Sequence, residues 1–334
     1  MMSFKRTLRA AALAAASVAT SAATCTAAFT ALALLPTASV QAAAPLAKTQ
    51  APGFYRAALG DFEITVLSDG ALPLPVDKLL TNTTPQAVDK ALAKSYLKTP
   101  VDTSVNAFLI NTGTKLVMVD AGTGGVFGLG LGTVLANLKA SGYQPEQVDE
   151  IYITHLHGGH VGGLVADGKP AFPNAVVRAD KRDADYWLSQ ANMDQAPEAA
   201  KGFFKMAMAA INPYIAADRF KPFDGNTDLV PGVKAIAAHG HTPGHTIYAI
   251  ESKGERLVLW GDLMHVAAVQ FEHPEVTIQF DVDSKSAAAE RKKAYAEAAK
   301  RGDLVGAAHL SFPGIGHIRS EGNGYVWVPI NYRP

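Results

Sequence analysis

The side chains able to do chemistry in this chain are gathered into a few short segments. All ten histidines lie beyond position 154. The densest group is Thr154-His155-Leu156-His157-Gly158-Gly159-His160, directly after the apolar run Ile151-Tyr152-Ile153. In an extended segment, residues two apart point to the same side, so His155 and His157 can grip one ion. His160 comes after a Gly-Gly turn and can reach a second. Neutral imidazole is the commonest metal ligand among side chains and suits zinc. A second group, His239-Gly240-His241-Thr242-Pro243-Gly244-His245, comes after another strand-like run, as do Gly261-Asp262 and His309. Loops at strand ends are where functional groups collect on a rigid scaffold. Taken singly, each has a plain structural explanation: a solvated histidine run, a Gly-Asp turn, a satisfied core histidine. Together and in this order they point to a metal centre that activates water. No Gly-x-Ser-x-Gly element offers a serine nucleophile.

Short strands must position these groups. Phe62–Leu67, Val105–Ile110 and Lys115–Val119 read as strands, with a hairpin signal at Asn111-Thr112-Gly113-Thr114 between the last two. Thr133–Ser141 has helical spacing and stops at Gly142. Ile151–Ile153 and Val176–Arg178 are buried-strand candidates, with helices after them over Lys181–Ser189 and Lys201–Ala217. Val233–Ala238, Thr246–Glu251 and Arg256–Trp260 repeat the strand pattern. Ser284–Arg301 is the longest helix signal, with Ala on one face and Glu290, Arg291, Lys292 and Lys293 on the other. Leu304–Ala308 and Tyr325–Ile330 close the chain as strands. Runs of strands with helices between them predict an α/β chain of stacked sheets covered by helices.

Composition sets the class. The chain has 334 residues, 48% hydrophobic and 18% charged, an ordinary globular balance. Residues 1–42 differ: Lys5, Arg6 and Arg9, no acidic residue, then runs of Ala, Leu, Val and Thr ending in Val40-Gln41-Ala42. That is the pattern of a cleaved secretory signal, so an exported, periplasmic or secreted chain beginning near Ala43 is expected, with one domain over 43–334. The apolar run Ala27–Leu35 is short for a membrane span and meets Pro36, so no span is expected after cleavage. The leader holds three of 30 basic and none of 30 acidic residues, which leaves 27 against 30, a net −3. With no basic stripe, nucleic acid is excluded as a partner. The only cysteine, Cys25, lies in the leader, so the mature chain has no thiolate ligand and no disulfide.

The order H-x-H-x-x-H, H-T-P-G-H, Gly-Asp, late His resembles the metallo-β-lactamase superfamily. The stretches Gln144–Glu150, Phe172–Asp180 and His309–His317 further resemble methyl parathion hydrolases and their lactone- and ester-cleaving relatives. The similarity runs from about Ala51 to Tyr332. It implies an αββα sandwich, two mixed sheets flanked by helices, with one or two divalent metals, Zn2+ first, at one sheet edge. By motif, His155, His157 and His241 would hold the first metal, His160 and His309 the second, and Asp262 would bridge them. His239, His245 and His317 then read as supporting, and Asp120 as part of a turn behind the site. Leu72, Leu74, Leu79, Phe127, Trp187, Phe203, His265, Ile278 and Phe280 fall at pocket positions of the resemblance. Each alone also reads as ordinary core; as a set they imply an apolar, aromatic pocket.

One position departs. The family motif reads H-x-H-x-D-H, and its Asp stands here as Gly159. Glycine brings no ligand, so the resemblance implies a weakened second site. The function implied is hydrolysis of an aryl ester, a lactone or an organophosphate triester by metal-activated water. The other reading is a weakened or inactive homologue that binds a metal or small ligand without turnover. The expected partner is a small-molecule substrate, with a homodimer left open.

Overall fold

Alternation within single strands sorts the chain into layers. In Leu116–Val119 all four residues are buried. Leu116 and Met118 pack into one apolar cluster, Val117 and Val119 into another. Successive side chains leave opposite faces of a strand, so this strand lies between two cores. Val101–Asn111 divides the same way, with Ala107 and Leu109 against Phe108 and Ile110. In Glu255–Leu259, Leu257 and Leu259 join the cluster of Val117, while Val258 joins a third with Trp260 and Tyr295. The shared cluster therefore fills the space between two sheets. Helices cover the outer faces: Lys201–Ala216 and Val134–Ala140 on one, Ser284–Arg301 on the other. This is the expected αββα sandwich.

The computed structural model describes residues 44–128 and 130–332. The expected leader, residues 1–42, lies outside the described residues. Thr49–Pro334 clusters as one compact unit. Its first sheet has six strands in the order 54–59, 62–74, 101–111, 116–119, 150–152, 176–178. The second has seven, 227–230, 233–237, 246–252, 255–259, 304–306, 315–321, 324–329. Both are mixed: 116–119, 150–152 and 176–178 run parallel, as do 255–259 and 304–306. Parallel neighbours need crossovers and so end at a common edge. Asp120, His155, Asp262 and His309 all lie just past the carboxyl ends of these parallel strands.

Two local differences from the sequence expectation matter. The strand begun at Phe62 continues to Leu74, and its register slips between Ser68 and Gly70. The slip is a bulge, which hid the continuation by breaking the alternation. The helix Ser284–Arg301 has the expected bounds, with Asp283 accepting from the Ser286 N–H (3.0 Å) and Gly302 left-handed at its end (φ 69). Arg291, however, is not on its solvated face. It is fully buried, and donates through Nη1 to the carbonyls of Pro274 (3.0 Å) and Val276 (2.7 Å) and through Nε to that of Leu263. The helix thereby fastens segment 263–276, which carries His265. Among the described residues no helix is long and apolar enough to cross a membrane.

Candidate metal centre

Each histidine loop is fixed from behind before it reaches the site. Thr154 donates its N–H and hydroxyl to the two carboxylate oxygens of Asp120, both at 2.8 Å. The same carboxylate faces His160 Nδ1 at 2.8 Å. Asp120 holds a left-handed backbone (φ 59), which costs an L-residue roughly 1–2 kcal/mol, and these three contacts offset that. His160 sits on a single helical turn, Gly158–Val161, preceded by His157 in extended conformation. A Cβ at Gly158 would meet Met206 Sδ of the long helix at 2.6 Å, so a larger residue there needs the Met206 side chain to move. Asp183 ties the first two histidine loops together: it accepts from Leu156 N (2.8 Å) and Gly244 N (2.6 Å). Burial pushes its carboxyl up to about 6 despite those hydrogen bonds. Gly261 is left-handed (φ 55), and a Cβ would lie 2.8 Å from Thr154 Cβ and 2.9 Å from His245 Nε2. Only glycine lets the turn close so tightly, and the closure presents Asp262.

Asp262 is the centre of the arrangement. Its Oδ1 lies 3.1 Å from His160 Nε2 and 3.2 Å from His309 Nε2. Its Oδ2 lies 3.0 Å from His265 Nε2, 3.4 Å from His241 Nε2 and 3.6 Å from His155 Nε2. His157 Nδ1 is 3.1 Å from His241 Nε2. The six residues expected at the metals thus converge, joined by His265.

The donor set fits a divalent cation. Ligand atoms of His155, His157 and His241 lie within 4.8 Å of one another, and so do those of His155, His160 and Asp262. Nitrogens bound to one zinc at about 2.0–2.1 Å stand about 3.3 Å apart, close to the 3.1 Å between His157 and His241. His155 Nε2 and Asp262 Oδ1 are buried without a hydrogen-bond partner. A cation between them would satisfy both.

Electrostatics favour the same reading. Burial, aided by neighbouring imidazoles, holds His155 and His157 well below the usual histidine range, so both present lone pairs at neutral pH. Burial also lowers His160 and His241, but carboxylates outweigh it. Asp262 and Asp120 raise His160 to about 10, and Asp262 and Asp281 raise His241 to about 9. Burial would raise the Asp262 carboxyl, yet the surrounding imidazoles hold it well below the ordinary carboxylate range. A cation entering here must displace the protons of His160 and His241, so its affinity falls as pH falls.

The supporting residues divide as the chain order suggested. His245 accepts from the Asp262 N–H (3.0 Å) through Nε2 and contacts the Ala238 carbonyl through Nδ1. His239 contacts Arg182, and His317 the Asp303 carbonyl. None of these faces the centre. Two orienting groups have no signal in the sequence: Asp281 and the Ser104 carbonyl, each 2.8 Å from a ring nitrogen, His241 Nδ1 and His309 Nδ1. Asp281 sits in Phe280-Asp281-Val282-Asp283, which reads as the start of a helix; no spacing links it to His241, 40 residues away. Orienting partners of this kind change metal affinity or activity by about 10–100-fold. Asp281→Ala is therefore expected to weaken metal binding by that order, and Asp281→Asn less. Titration against a chromophoric chelator reads it; affinities within twofold of the parent would remove Asp281 from this role.

An apolar cavity opens over the centre. Of the expected pocket residues, Leu72, Leu74, Phe127, Phe203, His265 and Phe280 line it. Trp187 lines an adjoining groove that shares His157, Phe203 and Phe280 with the cavity, and its ring meets His157 edge-on at 5.1 Å. Leu79 and Ile278 are placed elsewhere. Ile278 pairs with Leu80 in a two-stranded ribbon, and both Ile278 and Leu79 pack into the cluster of Val76, Val88 and Leu92. They support the wall from behind.

Comparison with known proteins gives a consistent picture. The sequence profile of the Metallo-beta-lactamase superfamily matches residues 100–309. An N-acyl homoserine lactonase of Bacillus cereus is 30% identical over 126 residues, and one of a Bacillus sp is 31% identical over 122. These alignments span 38% and 36% of this chain but only 42% and 40% of the lactonases. Among solved structures, the hydrolase AbOPH of the beta lactamase superfamily has a TM-score of 0.82 and 42% identity, covering 86% of this chain and all of that one. AidC, a dizinc quorum-quenching lactonase in complex with a product, has a TM-score of 0.78 and 26% identity, covering 84% and 99%.

Proposed function

The chain belongs to the metallo-β-lactamase superfamily and is a metal-dependent hydrolase, and from that premise we propose that it opens lactone rings, with zinc as its metal. The observation that carries this reading is the cavity itself. Its floor is the imidazole–carboxylate cluster, and among the described residues its lining contains no Ser, Cys or Lys. The one lining hydroxyl, that of Thr123, donates to Asp69 at 2.6 Å. The remaining lining nucleophiles, Asp262 and the imidazoles, form the donor cluster for the cation, so in this reading the attacking group is water. The chemistry supplied by a divalent cation held in this cluster would be a lower pKa for bound water, toward about 7, and polarisation of the carbonyl under attack.

The chain's own residues do the rest. His155, His157 and His241 would hold one cation, and His160 and His309 a second, with the Asp262 carboxylate between them. Asp120 and Asp281 fix the ring planes of His160 and His241. Asp262 stays ionised and accepts a hydrogen bond from the attacking water. Leu72, Leu74, Phe127 and Phe280 exclude bulk solvent and take the apolar part of the substrate. His265 and Phe280, ring centroids 6.0 Å apart, narrow the wall. A flat ester group passes such a wall better than a tetrahedral phosphotriester. N-acyl homoserine lactones are the first candidates, because part of this chain is similar to the lactonases named above and the cavity's apolar side suits an acyl chain.

The test is a zinc-loaded panel of acyl homoserine lactones, aryl lactones, aryl esters and aryl phosphotriesters. Lactones are expected to exceed phosphotriesters in kcat/KM by about tenfold or more. Preference for the phosphotriester would overturn the substrate class. Lactone binding without turnover would favour the homologue that binds and does not cleave.

A further inference from the structure

We propose that His265 is a metal ligand in this chain, a further donor on the Asp262 Oδ2 side of the centre, beside His241. The proposal rests on the metal centre described above and extends it by one residue. His265 is only 3% exposed; its Nδ1 has no partner, and its Nε2 makes no well-formed hydrogen bond although it faces the Asp262 carboxylate. Polar atoms left in this state on a buried ring are costly unless something binds them. Four of the other site imidazoles are anchored on the far side from Asp262: His155 by Thr154, His160 by Asp120, His241 by Asp281 and His309 by the Ser104 carbonyl, while the His157 ring bonds to His241 within the centre. His265 has no such anchor. Its ring instead stacks on His309, with centroids 5.1 Å apart and planes inclined 20°, and its backbone N–H is held by Gln270 Oε1 at 2.7 Å. The ring is therefore steered by its backbone and by stacking, with Nδ1 unpartnered and Nε2 turned to the Asp262 carboxylate.

Nε2 points where a ligand must point. It lies 3.0 Å from Asp262 Oδ2, and the ligand atoms of His241, Asp262 and His265 fall within 4.8 Å of one another, as tight a group as His155, His157 and His241. Its unpartnered state matches that of His155 Nε2 and Asp262 Oδ1, the two atoms that already identify the centre. Gly159, which lines the same cavity, has nothing within 4 Å of where a Cβ would stand. The centre thus has open space where the family motif has a carboxylate, and it has an extra imidazole beside His241 and Asp262. An imidazole delivers a lone pair but no charge. The cation it helps to hold is therefore drawn toward the His241–Asp262 side.

The experiment measures zinc and cobalt binding, by chelator competition and by the visible spectrum of the cobalt form, in the parent, His265→Ala, His265→Gln and His155→Ala. The two His265 variants are crossed with Gly159→Asp, and circular dichroism checks that each variant folds. Both His265 variants are expected to weaken one cation by about tenfold or more and to change the cobalt bands, and the loss is expected to persist in the Gly159→Asp background, whose carboxylate serves the His160 and His309 cation. Unchanged affinity and spectra in both His265 variants, with His155→Ala losing a cation, would overturn the role of His265 and leave the centre intact. A change in lactone KM or kcat with metal binding untouched would also overturn it, and make His265 a substrate contact. If His155→Ala also kept its full metal content, the centre itself would fall, and this proposal with it.

Discussion

Replacing Asp262 by alanine is expected to cut hydrolysis by about three orders of magnitude and to leave at most one tightly bound cation per chain. Five imidazole nitrogens stand within 3.6 Å of this carboxylate, two on Oδ1 and three on Oδ2. No other carboxylate oxygen among the described residues lies as central. Asp120 and Asp281 each face the outer nitrogen of one ring. Without Asp262, those rings face one another across a buried space with no anion between them, and two cations there would repel without a bridge. Removing one partner of a buried charge pair costs about 3–5 kcal/mol. Residues that merely orient a ligand already change activity by about 10–100-fold, so a bridging ligand should exceed that, on the order of 1000-fold. Asp262→Asn separates charge from shape: it keeps the side-chain outline and the backbone N–H to His245 Nε2 (3.0 Å). It should lose nearly as much activity as alanine with less loss of stability. Metal content by elemental analysis, kcat/KM on a lactone and thermal melting read the three quantities. An alanine variant with two tight cations and activity within tenfold of the parent would place the reaction elsewhere.

The histidine segments are legible in the sequence because they are local. A strand can be seen to end at Ile153 or Trp260, and the residues next in the chain stay beside that strand end in space. The sheet layers are legible for a related reason: Leu116-Val117-Met118-Val119 carries apolar residues on both faces, which only a strand between two cores can bury. Contact between distant segments is hidden. Asp183 ties Leu156 to Gly244, Asp281 orients His241, and Arg291 fastens residues 263–276; each is an ordinary polar residue until the chain folds. Arg291 reads as solvated because three of its neighbours, Glu290, Lys292 and Lys293, are charged. One turn of helix is enough to put it inside. Leu79 and Ile278 show the same limit from the apolar side, since hydrophobicity alone does not say whether a residue faces a cavity or the wall behind it. The helix Pro85–Lys94 does carry a signal, Thr84 as its cap with Pro85 next, and Thr84 Oγ1 accepts from Ala87 N at 3.2 Å.

Gly159→Asp is expected to tighten the second cation by about tenfold or more and to raise kcat/KM when metal is scarce. The substitution is sterically open. Gly159 does not occupy the left-handed region, a Cβ there meets nothing within 4 Å, and the residue lines the cavity beside His160, Asp262 and His309. Its neighbour is the contrast: at Gly158 the Cβ would meet Met206 Sδ at 2.6 Å, so a larger residue there needs that side chain to move. Glycine at 159 is thus a choice that the fold does not impose, and its cost is a missing oxygen ligand. A carboxylate adds one negative charge next to a dication and, by removing a glycine from the loop between His157 and His160, stabilises the fold by roughly 0.4–1 kcal/mol through a lower entropy of the unfolded chain. Without metal the same charge lies near Asp262 in a buried cluster, where like charges raise each other's pKa. The metal-free variant should therefore gain less stability than the loop entropy alone would give, and the metal-loaded variant more. Melting temperatures with and without zinc test that sign, and chelator titration tests the affinity. With zinc in excess the activity gain should shrink, because the parent site is then filled as well. If the parent already binds two cations as tightly as the variant, Gly159 costs the centre nothing, and a solvent ligand serves where the carboxylate would stand.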